Sequence, residues 1–460
     1  MNPFIAKRCC RQSSFILMPM RISTRHFLTL LLCLGAHGLA AQVSSSAARE
    51  PITLDEAIRR AEANEPNYAN AVAGRQTAKL DRQIAQSALL PTVDFHNQGL
   101  YTQPAVQNGV ILAQSTPRFI ANNAVREYIS QGVVNEAIGF ASFADLRRAN
   151  AAELKAAADA EVARRGLVVA VTELYFNAAA ADRRVGIAGR AHQEALDFLA
   201  LTQKREAARE AAHADAVKAQ LEELRTNRVL SDVRVNAEKA RLELGVLLFP
   251  DPGTPYSLVE AAPPAPLATL DEVKAAASKN NPDLRSALAA EQQSEADVLG
   301  ARAAYMPTLG LNYTYGIDAP QFAVNGPDHT RNLGYSASVT VDLPIWDWMG
   351  TQHKVKQSEI RRSAAKIALT NAQRQLIARI SETYSEAAAA RDQLASLDQG
   401  VLTAQESLRL TKMRYAGGEG SVLEVVDAQT TFTDAENARE DGRVRFEVAL
   451  ANLQTLMGTR

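Results

Sequence analysis

Hydrophobic and polar residues recur along this chain with two periods. From Thr351 to Tyr415 the period is seven. Ile380, Ala387, Leu394, Val401, Leu408 and Tyr415 step by seven, and Leu397, Ala404 and Thr411 sit three after Leu394, Val401 and Leu408. Apolar or small residues held on a seven-residue repeat mark a helix that stays against partner helices. The run holds no Pro and one Gly, Gly400. At 1.5 Å per residue it makes a rod on the order of 100 Å long, against roughly 30 Å for a small domain. A second Pro-free run of similar length, Ser142 to Arg209, is interrupted only by Gly166, Gly186 and Gly189. Two such rods in one chain require an architecture built of rods.

The other period is two. In Thr308–Ile317, Leu309, Leu311, Tyr313, Tyr315 and Ile317 alternate with Gly310, Asn312, Thr314 and Gly316. In Tyr335–Leu343, Tyr335, Ala337, Val339, Val341 and Leu343 alternate with Ser336, Ser338, Thr340 and Asp342. One face is apolar and carries tyrosines; the other is small and polar. This is the dyad of a transmembrane barrel strand, and strands of roughly 9–11 residues cross a bilayer. A soluble sheet resting on a core has the same period. In the first half the pattern is weaker: Val93, Phe95 and Tyr101 share a face, while 125–135 is blurred. The stretches 103–124 and 318–333 contain Pro, Asn, Gly and Asp and read as surface loops.

The chain is one unit written twice. Thr53-Leu-Asp-Glu56 recurs as Thr269-Leu-Asp-Glu272, and at the same offset of 216 Asn64, Pro66, Gln76, Asp81 and Pro91-Thr92 match Asn280, Pro282, Gln292, Asp297 and Pro307-Thr308. At an offset of 209, Leu201-Thr202 matches Leu410-Thr411, Arg205 matches Arg414, Ala219-Gln220 matches Ala428-Gln429, and Leu244 matches Leu453. Repeats of this size mean a duplicated module, 52–249 and 268–460, joined by a proline-rich linker at 250–267. Each module reads alike. Thr53 or Thr269 caps a helix, with Glu56 or Glu272 placed as in a capping box. The helix breaks near Pro66 or Pro282 and runs on to Pro91 or Pro307. Two strands follow, near 92–102 and 125–138 or at 308–317 and 335–343. Then come the rod (142–209 or 351–415), a turn near 206–213 or 416–420, and a last helix.

The N-terminus reads as a secretory signal spanning 1–40. Met20 to His26 is basic, Phe27 to Leu34 is mostly apolar, and Gly38-Leu39-Ala40 offers a cleavage site. Met20 would itself start a signal of ordinary length. Residues 41–51 form a short lead-in. Cys9, Cys10 and Cys33 all fall in the signal, so the rest of the chain has no disulfide, thiol nucleophile or thiolate metal ligand. The net charge of −1 gives no footprint for nucleic acid. No later apolar run reaches the roughly 18 residues a transmembrane helix needs.

This order of elements resembles the TolC family of outer-membrane efflux proteins over nearly the whole of the chain after the signal. The sharpest piece is Arg414-Tyr-Ala-Gly-Gly-Glu-Gly-Ser-Val-Leu-Glu-Val-Val-Asp-Ala-Gln429, which resembles the family's pattern at the second helical hairpin tip. The resemblance implies a mainly α fold with a β-barrel part. Three copies would give four strands each to a twelve-stranded barrel in the outer membrane, continued by a helical coiled-coil tunnel across the periplasm. It implies a passive exit duct for tripartite efflux or type I secretion, with a periplasmic adaptor (membrane fusion protein), an inner-membrane pump and outer-membrane lipid as partners. Arg414, Gly418, Gly420 and Ser421 are then candidates for adaptor docking. Glu424, Asp427, Asp215 and Tyr415 are candidates for the channel entrance. Leu309, Leu311, Tyr313, Tyr315, Val339 and Val341 would face lipid.

Two departures bear on the tips. Arg209 falls where the second copy has Gly418, and Glu206 where it has Tyr415. The first tip thus lacks the family's glycine. Gly420 stands where some relatives carry an Arg that locks the gate.

No enzyme chemistry is legible, and no cofactor is called for. His96, His192, His213, His329 and His353 show no ligand spacing, and Gly417-Gly418-Glu419-Gly420 lacks the Lys-Ser/Thr of a phosphate loop. Glu424 and Asp427, three apart, share a helix face. Threefold symmetry would make each a ring of carboxylates, which attracts cations. A solvated acidic face is the plainer reading. For the whole molecule the alternative is a periplasmic coiled-coil scaffold or adaptor, which would not need tyrosine-bearing apolar strand faces.

Overall fold

The computed structural model describes residues 50–101, 106–107, 110–111, 126–260, 266–326 and 329–459. The secretory signal, the cysteines, most of the lead-in and most of the 103–124 loop lie outside the described residues. In chain order the first repeat comprises β1 (Glu50–Ile52), α1 (Leu54–Asn64), α2 (Pro66–Ser87), β2 (Thr92–Tyr101), the short β3 (Val106–Gln107) and β4 (Val110–Ile111), β5 (Arg126–Ile138), α3 (Phe140–Ala207) and α4 (His213–Leu248). After β6 (Tyr256–Leu258) the second repeat comprises α5 (Leu270–Asn280), α6 (Pro282–Ala303), β7 (Thr308–Ala319), β8 (Leu333–Asp342), α7 (Gly350–Ala416) and α8 (Val422–Met457).

The helix starts follow local chemistry. Thr269 and Glu272 form a complete capping box at α5: Glu272 N donates to Thr269 Oγ1 (3.4 Å) and Thr269 N donates to Glu272 Oε2 (2.9 Å). At α1 only half of it forms. Thr53 Oγ1 accepts from Glu56 N (3.3 Å), while the Glu56 carboxylate is taken by Arg59 and Arg60. Pro66 and Pro282 open α2 and α6 at a position where no backbone donor is needed. These helices stop at Ser87 and Ala303, short of Pro91 and Pro307, and a hydrogen-bonded turn leads into each strand. The proline-rich 250–267 stretch is more than a connector, because β6 within it pairs in parallel with β1. Tyr175 Oη lies within hydrogen-bond distance of Val259 O (2.5 Å) and Ile52 O (3.1 Å), which fastens this pair to α3.

The rods are 68 and 67 residues long. Ile380, Ala387, Val401, Ala404, Leu408 and Tyr415 of α7 are buried and Leu394 is partly so, which makes the seven-residue repeat the α7–α8 seam. Phe446, Leu450 and Leu453 of α8 are buried. Toward the strands the helices lie in the order α2, α3, α6, α7; toward the tips they lie α4, α3, α8, α7. Within the first hairpin, Leu244 and Leu248 of α4 share a buried cluster with Leu167, Val171, Tyr175 and Phe176 of α3. The α3–α8 seam, between the repeats, carries three ion pairs midway: Arg183 reaches Glu440 (2.5 Å), Arg190 reaches Glu436 (2.6 Å), and Arg184 pairs with Asp441.

The four long strands make one antiparallel sheet in the order β2, β5, β7, β8. Register puts Leu309, Leu311, Tyr313 and Tyr315 opposite Val341, Val339, Ala337 and Tyr335, so the apolar residues of both strands share a face. Tyr313 and Tyr335 stack at 6.2 Å. Val93 and Phe95 reach the same face through Val134 and Gly132. The blurred 125–135 stretch proves to be most of a continuous 13-residue strand. Its alternation fails because Ile129 and Val133 lie on the polar face, while Ser130 and Glu136 lie on the apolar one. Ser130 Oγ donates there to Asn97 Oδ1 (2.8 Å), so each polar group satisfies the other. Strand β5, central in the sheet, is held by ladders on both sides. A Cβ at Gly316 would sit 2.2 Å from Ser130 O, so the β5–β7 pairing requires glycine there. No helix among the described residues is long and apolar enough to cross a membrane.

Candidate functional site

Both hairpins turn by the same hydrogen bonds. In the first tip Ala208 N donates to Lys204 O (3.0 Å), Arg209 N to Glu206 O (2.8 Å) and Glu210 N to Arg205 O (2.8 Å). In the second Gly417 N donates to Met413 O (3.0 Å), Gly418 N to Tyr415 O (3.1 Å) and Glu419 N to Arg414 O (2.9 Å). This is the helix-ending motif whose key residue is left-handed, where glycine carries no steric penalty. Gly418 has φ 82° and Arg209 has φ 66°. The missing glycine therefore leaves the first turn's path unchanged and forces an arginine into a conformation that L residues avoid.

The tips are packed on each other. Phe198 of α3, Ala219 of α4 and Tyr415, Val422 and Val425 of the second hairpin form a small core. Tyr415 is only 4% exposed. Its ring meets Phe198 edge-on at 5.1 Å, lies under the Arg205 guanidinium (4.9 Å), and its hydroxyl is 3.3 Å from Thr202 Oγ1. Arg205 Nη1 also donates to Tyr415 O (2.5 Å), and Lys412 pairs with Glu194 (2.7 Å). Tyr415 is thus placed as a clamp between hairpins, facing protein on all sides.

Glu424 and Asp427 are exposed on the first turns of α8. With Arg414 they line a shallow groove of about 280 Å³ between α7 and α8. Ser421 caps α8, accepting from Glu424 N (3.3 Å), and Glu424 lies 3.4 Å from the Arg414 guanidinium. Asp427 has no ion pair among the described residues and is the freer charge of the two. Gly420 is tucked against the Tyr415 backbone, where a Cβ would sit 3.0 Å from its nitrogen. Asp215 is half-exposed in the first turn of α4, and His213 Nδ1 beside it lies 2.7 Å from Glu206. Among the described residues no three His, Asp or Glu side chains converge to hold a metal ion.

On the sheet, Leu311, Tyr313, Tyr315, Val339 and Val341 are exposed and Leu309 is half-buried. Arg126 and Glu136 share this face, each toward an end of β5. Sequence reasoning missed Phe198, Thr202 and Arg205. The repeat had flagged two of them by matching Thr202 to Thr411 and Arg205 to Arg414. Equivalent position did not mean equivalent contact: Arg205 turns inward onto Tyr415, and Arg414 turns outward to Glu424.

The family profile described as "Outer membrane efflux protein" matches residues 275–459. The proteases secretion protein PrtF of Dickeya chrysanthemi is 26% identical over 190 residues, covering 40% of this chain and 40% of PrtF. The chain thus spans about two fifths of the length of the first curated relatives it matches. The alkaline protease secretion protein AprF of Pseudomonas aeruginosa is 20% identical over 410 residues, covering 86% of this chain and 82% of AprF. The CmeC outer membrane channel of Campylobacter jejuni superposes with a TM-score of 0.74 at 16% identity, covering 88% of this chain and 85% of CmeC. The second repeat thus matches the outer membrane efflux protein profile, and the fold across both repeats is like that of the CmeC outer membrane channel.

Proposed function

We propose that the chain is the outer-membrane exit duct of a tripartite efflux or type I secretion system. It would work without catalysis, passing small molecules or polypeptides handed over by an inner-membrane pump and a periplasmic adaptor. The observation that carries this reading is a shared pair of open edges. The sheet ends at β2 and β8, and the helical walls end at α2 or α4 on one side and α7 on the other. First-repeat elements form one edge at every level and second-repeat elements form the other. Unpaired strand edges in lipid cost several kcal/mol per backbone group, so one copy cannot span a membrane alone. Head-to-tail contact of one edge with the opposite edge of the next copy closes sheet and wall together. Three copies is the number that the resemblance implies. The polar sheet face and the space within the helical wall then form one passage.

At the periplasmic mouth, Glu424 and Asp427 would form carboxylate rings that favour cations. Arg414 partly neutralises Glu424, so Asp427 carries the larger share. The two tips offer an adaptor the same backbone turn with different side chains, Arg209 on one and Gly418 on the other.

The test is fractionation followed by bilayer recording. The protein should be recovered from outer membranes as a detergent-resistant trimer and give cation-selective conductance in planar bilayers. Glu424→Ala with Asp427→Ala should lower the selectivity without changing trimer yield, and Asp427→Ala alone should do more than Glu424→Ala alone. Recovery as a soluble periplasmic monomer would overturn the duct in favour of a scaffold. An unchanged reversal potential in the double variant would leave these carboxylates as a solvated face.

A further inference from the structure

The segment joining β8 to α7 is unlike any other in the described chain. Leu343-Pro-Ile-Trp-Asp-Trp-Met349 leaves Ile345 89%, Trp346 70% and Trp348 84% exposed. These are the only two tryptophans in the sequence. Trp348 (φ 57°) and Met349 (φ 63°) are both left-handed, which bulky L residues seldom adopt once and here adopt twice in succession. Asp347 secures the turn: its Oδ2 accepts from Thr351 N (2.6 Å) and its carbonyl from Gly350 N (3.1 Å). The two indoles are held edge to face at 5.8 Å. An ordered turn that pushes two tryptophans outward calls for something to receive them.

Three observations say what that is. First, height: the segment lies where the apolar strand face ends and the rods begin, so it sits at the boundary between hydrocarbon and headgroups. Tryptophan prefers that boundary because its ring is apolar and its N–H is polar. Second, breadth: Phe140 and Phe143 at the start of α3, and Tyr305 and Met306 past the end of α6, are also exposed at this level. Those elements lie inside the wall of one copy rather than at its edges, so a neighbouring copy does not account for the whole band. Third, charge: His353, Lys354 and Lys356 follow within two turns and are exposed, and none of them forms an ion pair among the described residues. Asp347, the nearest acid, accepts hydrogen bonds from Thr351 and Gly350 and meets Lys354 only as the smallest of its influences. Hydrogen bonds from Thr351 hold the Asp347 carboxyl below its usual range, and Glu359 is paired with Arg302 (2.6 Å). At 1.5 Å per residue both lysines lie within roughly 10 Å of the helix start, about a headgroup's depth.

We propose that the β8–α7 turn and the first two turns of α7 bind anionic phospholipid headgroups of the periplasm-facing leaflet, the indoles seating in the interface and Lys354 and Lys356 contacting phosphates. The inference rests on the outer-membrane reading above and adds a lipid class and a place.

Tryptophan fluorescence reports this segment alone. The purified assembly is placed in phosphatidylcholine bilayers with a minor fraction of brominated lipid. Bromines near the headgroup end of the acyl chain should quench the native tryptophans. Brominated phosphatidylglycerol should quench more strongly than brominated phosphatidylcholine at equal fraction, since each surface cation enriches anionic lipid by roughly fivefold. Lys354→Gln with Lys356→Gln should bring the two lipids to parity while quenching persists. A Trp346→Phe, Trp348→Phe protein carrying Val339→Trp serves as the control on the strand face. If that control is quenched and the native tryptophans are not, the turn is covered by a neighbouring copy and the inference fails. Quenching with no lipid preference in the parent overturns the headgroup chemistry. If the Val339→Trp control itself is unquenched, the outer-membrane reading fails.

Discussion

Arg209 and Gly418 occupy the same left-handed corner of two superimposable turns, and only one of them is a residue suited to it. Arg209→Gly should stabilise the first tip by about 1 kcal/mol, and Gly418→Ala should cost the second tip about as much. Hydrogen exchange at the amides of Arg209–Glu210 and Gly418–Glu419 measures both. No change at the first tip would mean that the Arg209 side chain makes up the difference through contacts with its surroundings. The residue types at both tips were legible along the chain, including the Arg-for-Gly exchange, because the repeat aligns them. That the backbone turn survives the exchange was not legible, since a left-handed φ is a cost that packing can impose on any residue. Tyr415 teaches the same lesson. Its place at the end of the seven-residue stripe was plain, yet the side chains that enclose it come from a rod more than 200 residues earlier.

The strands divide the same way at the scale of elements. Strict alternation identified β7 and β8 and their faces, and register then sets the depth of each residue. Leu311, paired with Val339, lies nearer mid-strand than Leu309 and Val341. Tyr313, one pair further in, sits at the middle of β7, so Tyr313→Arg should cost roughly 2–4 kcal/mol in assembly and Val341→Arg roughly 0–1 kcal/mol, with Leu311→Arg between them. Asn312→Arg and Thr340→Arg, on the polar face, should assemble nearly as the parent does. The readout is the fraction recovered as a detergent-resistant assembly, and equal losses from both faces would mean the faces are misassigned. Strand β5 escaped a clean reading because a central strand owes its place to two hydrogen-bonded neighbours and tolerates mixed faces.

Over the whole molecule the seams differ in kind. The two hairpins of a chain meet midway along α3 and α8 through Arg183–Glu440, Arg190–Glu436 and Arg184–Asp441, and at the tips through the apolar cluster around Phe198 and Tyr415. Glu440, 2% exposed, takes two opposed influences. Burial pushes its carboxyl up, and hydrogen bonds and charge from Arg183 and Arg439 outweigh that and hold it below the usual range near 4.5. A lowered folded value means the stabilisation is present above pH 4.5 and fades as pH falls through the folded value. Hydrogen exchange along the α3–α8 seam should quicken as pH is lowered below 4.5, after correction for intrinsic rates. In Glu440→Gln the seam should be weaker at neutral pH and less sensitive to acid. An identical pH dependence in the variant would remove Glu440 from this role.

The amino-acid sequence alone settles what is local and periodic. The rods, the capped and proline-opened helices, the two clear strands and the duplication all follow from spacing and from backbone chemistry within a few residues. Tertiary structure decides what depends on which segments meet. It sends Arg205 to Tyr415 and Arg414 to Glu424, recruits part of the proline-rich connector into a parallel pair with β1, and ties α3 to α8 by ion pairs between the repeats. Duplication accounts for the difference: two copies of one sequence pattern fold alike locally, but each has the other as its neighbour, so matched residues face unmatched surroundings.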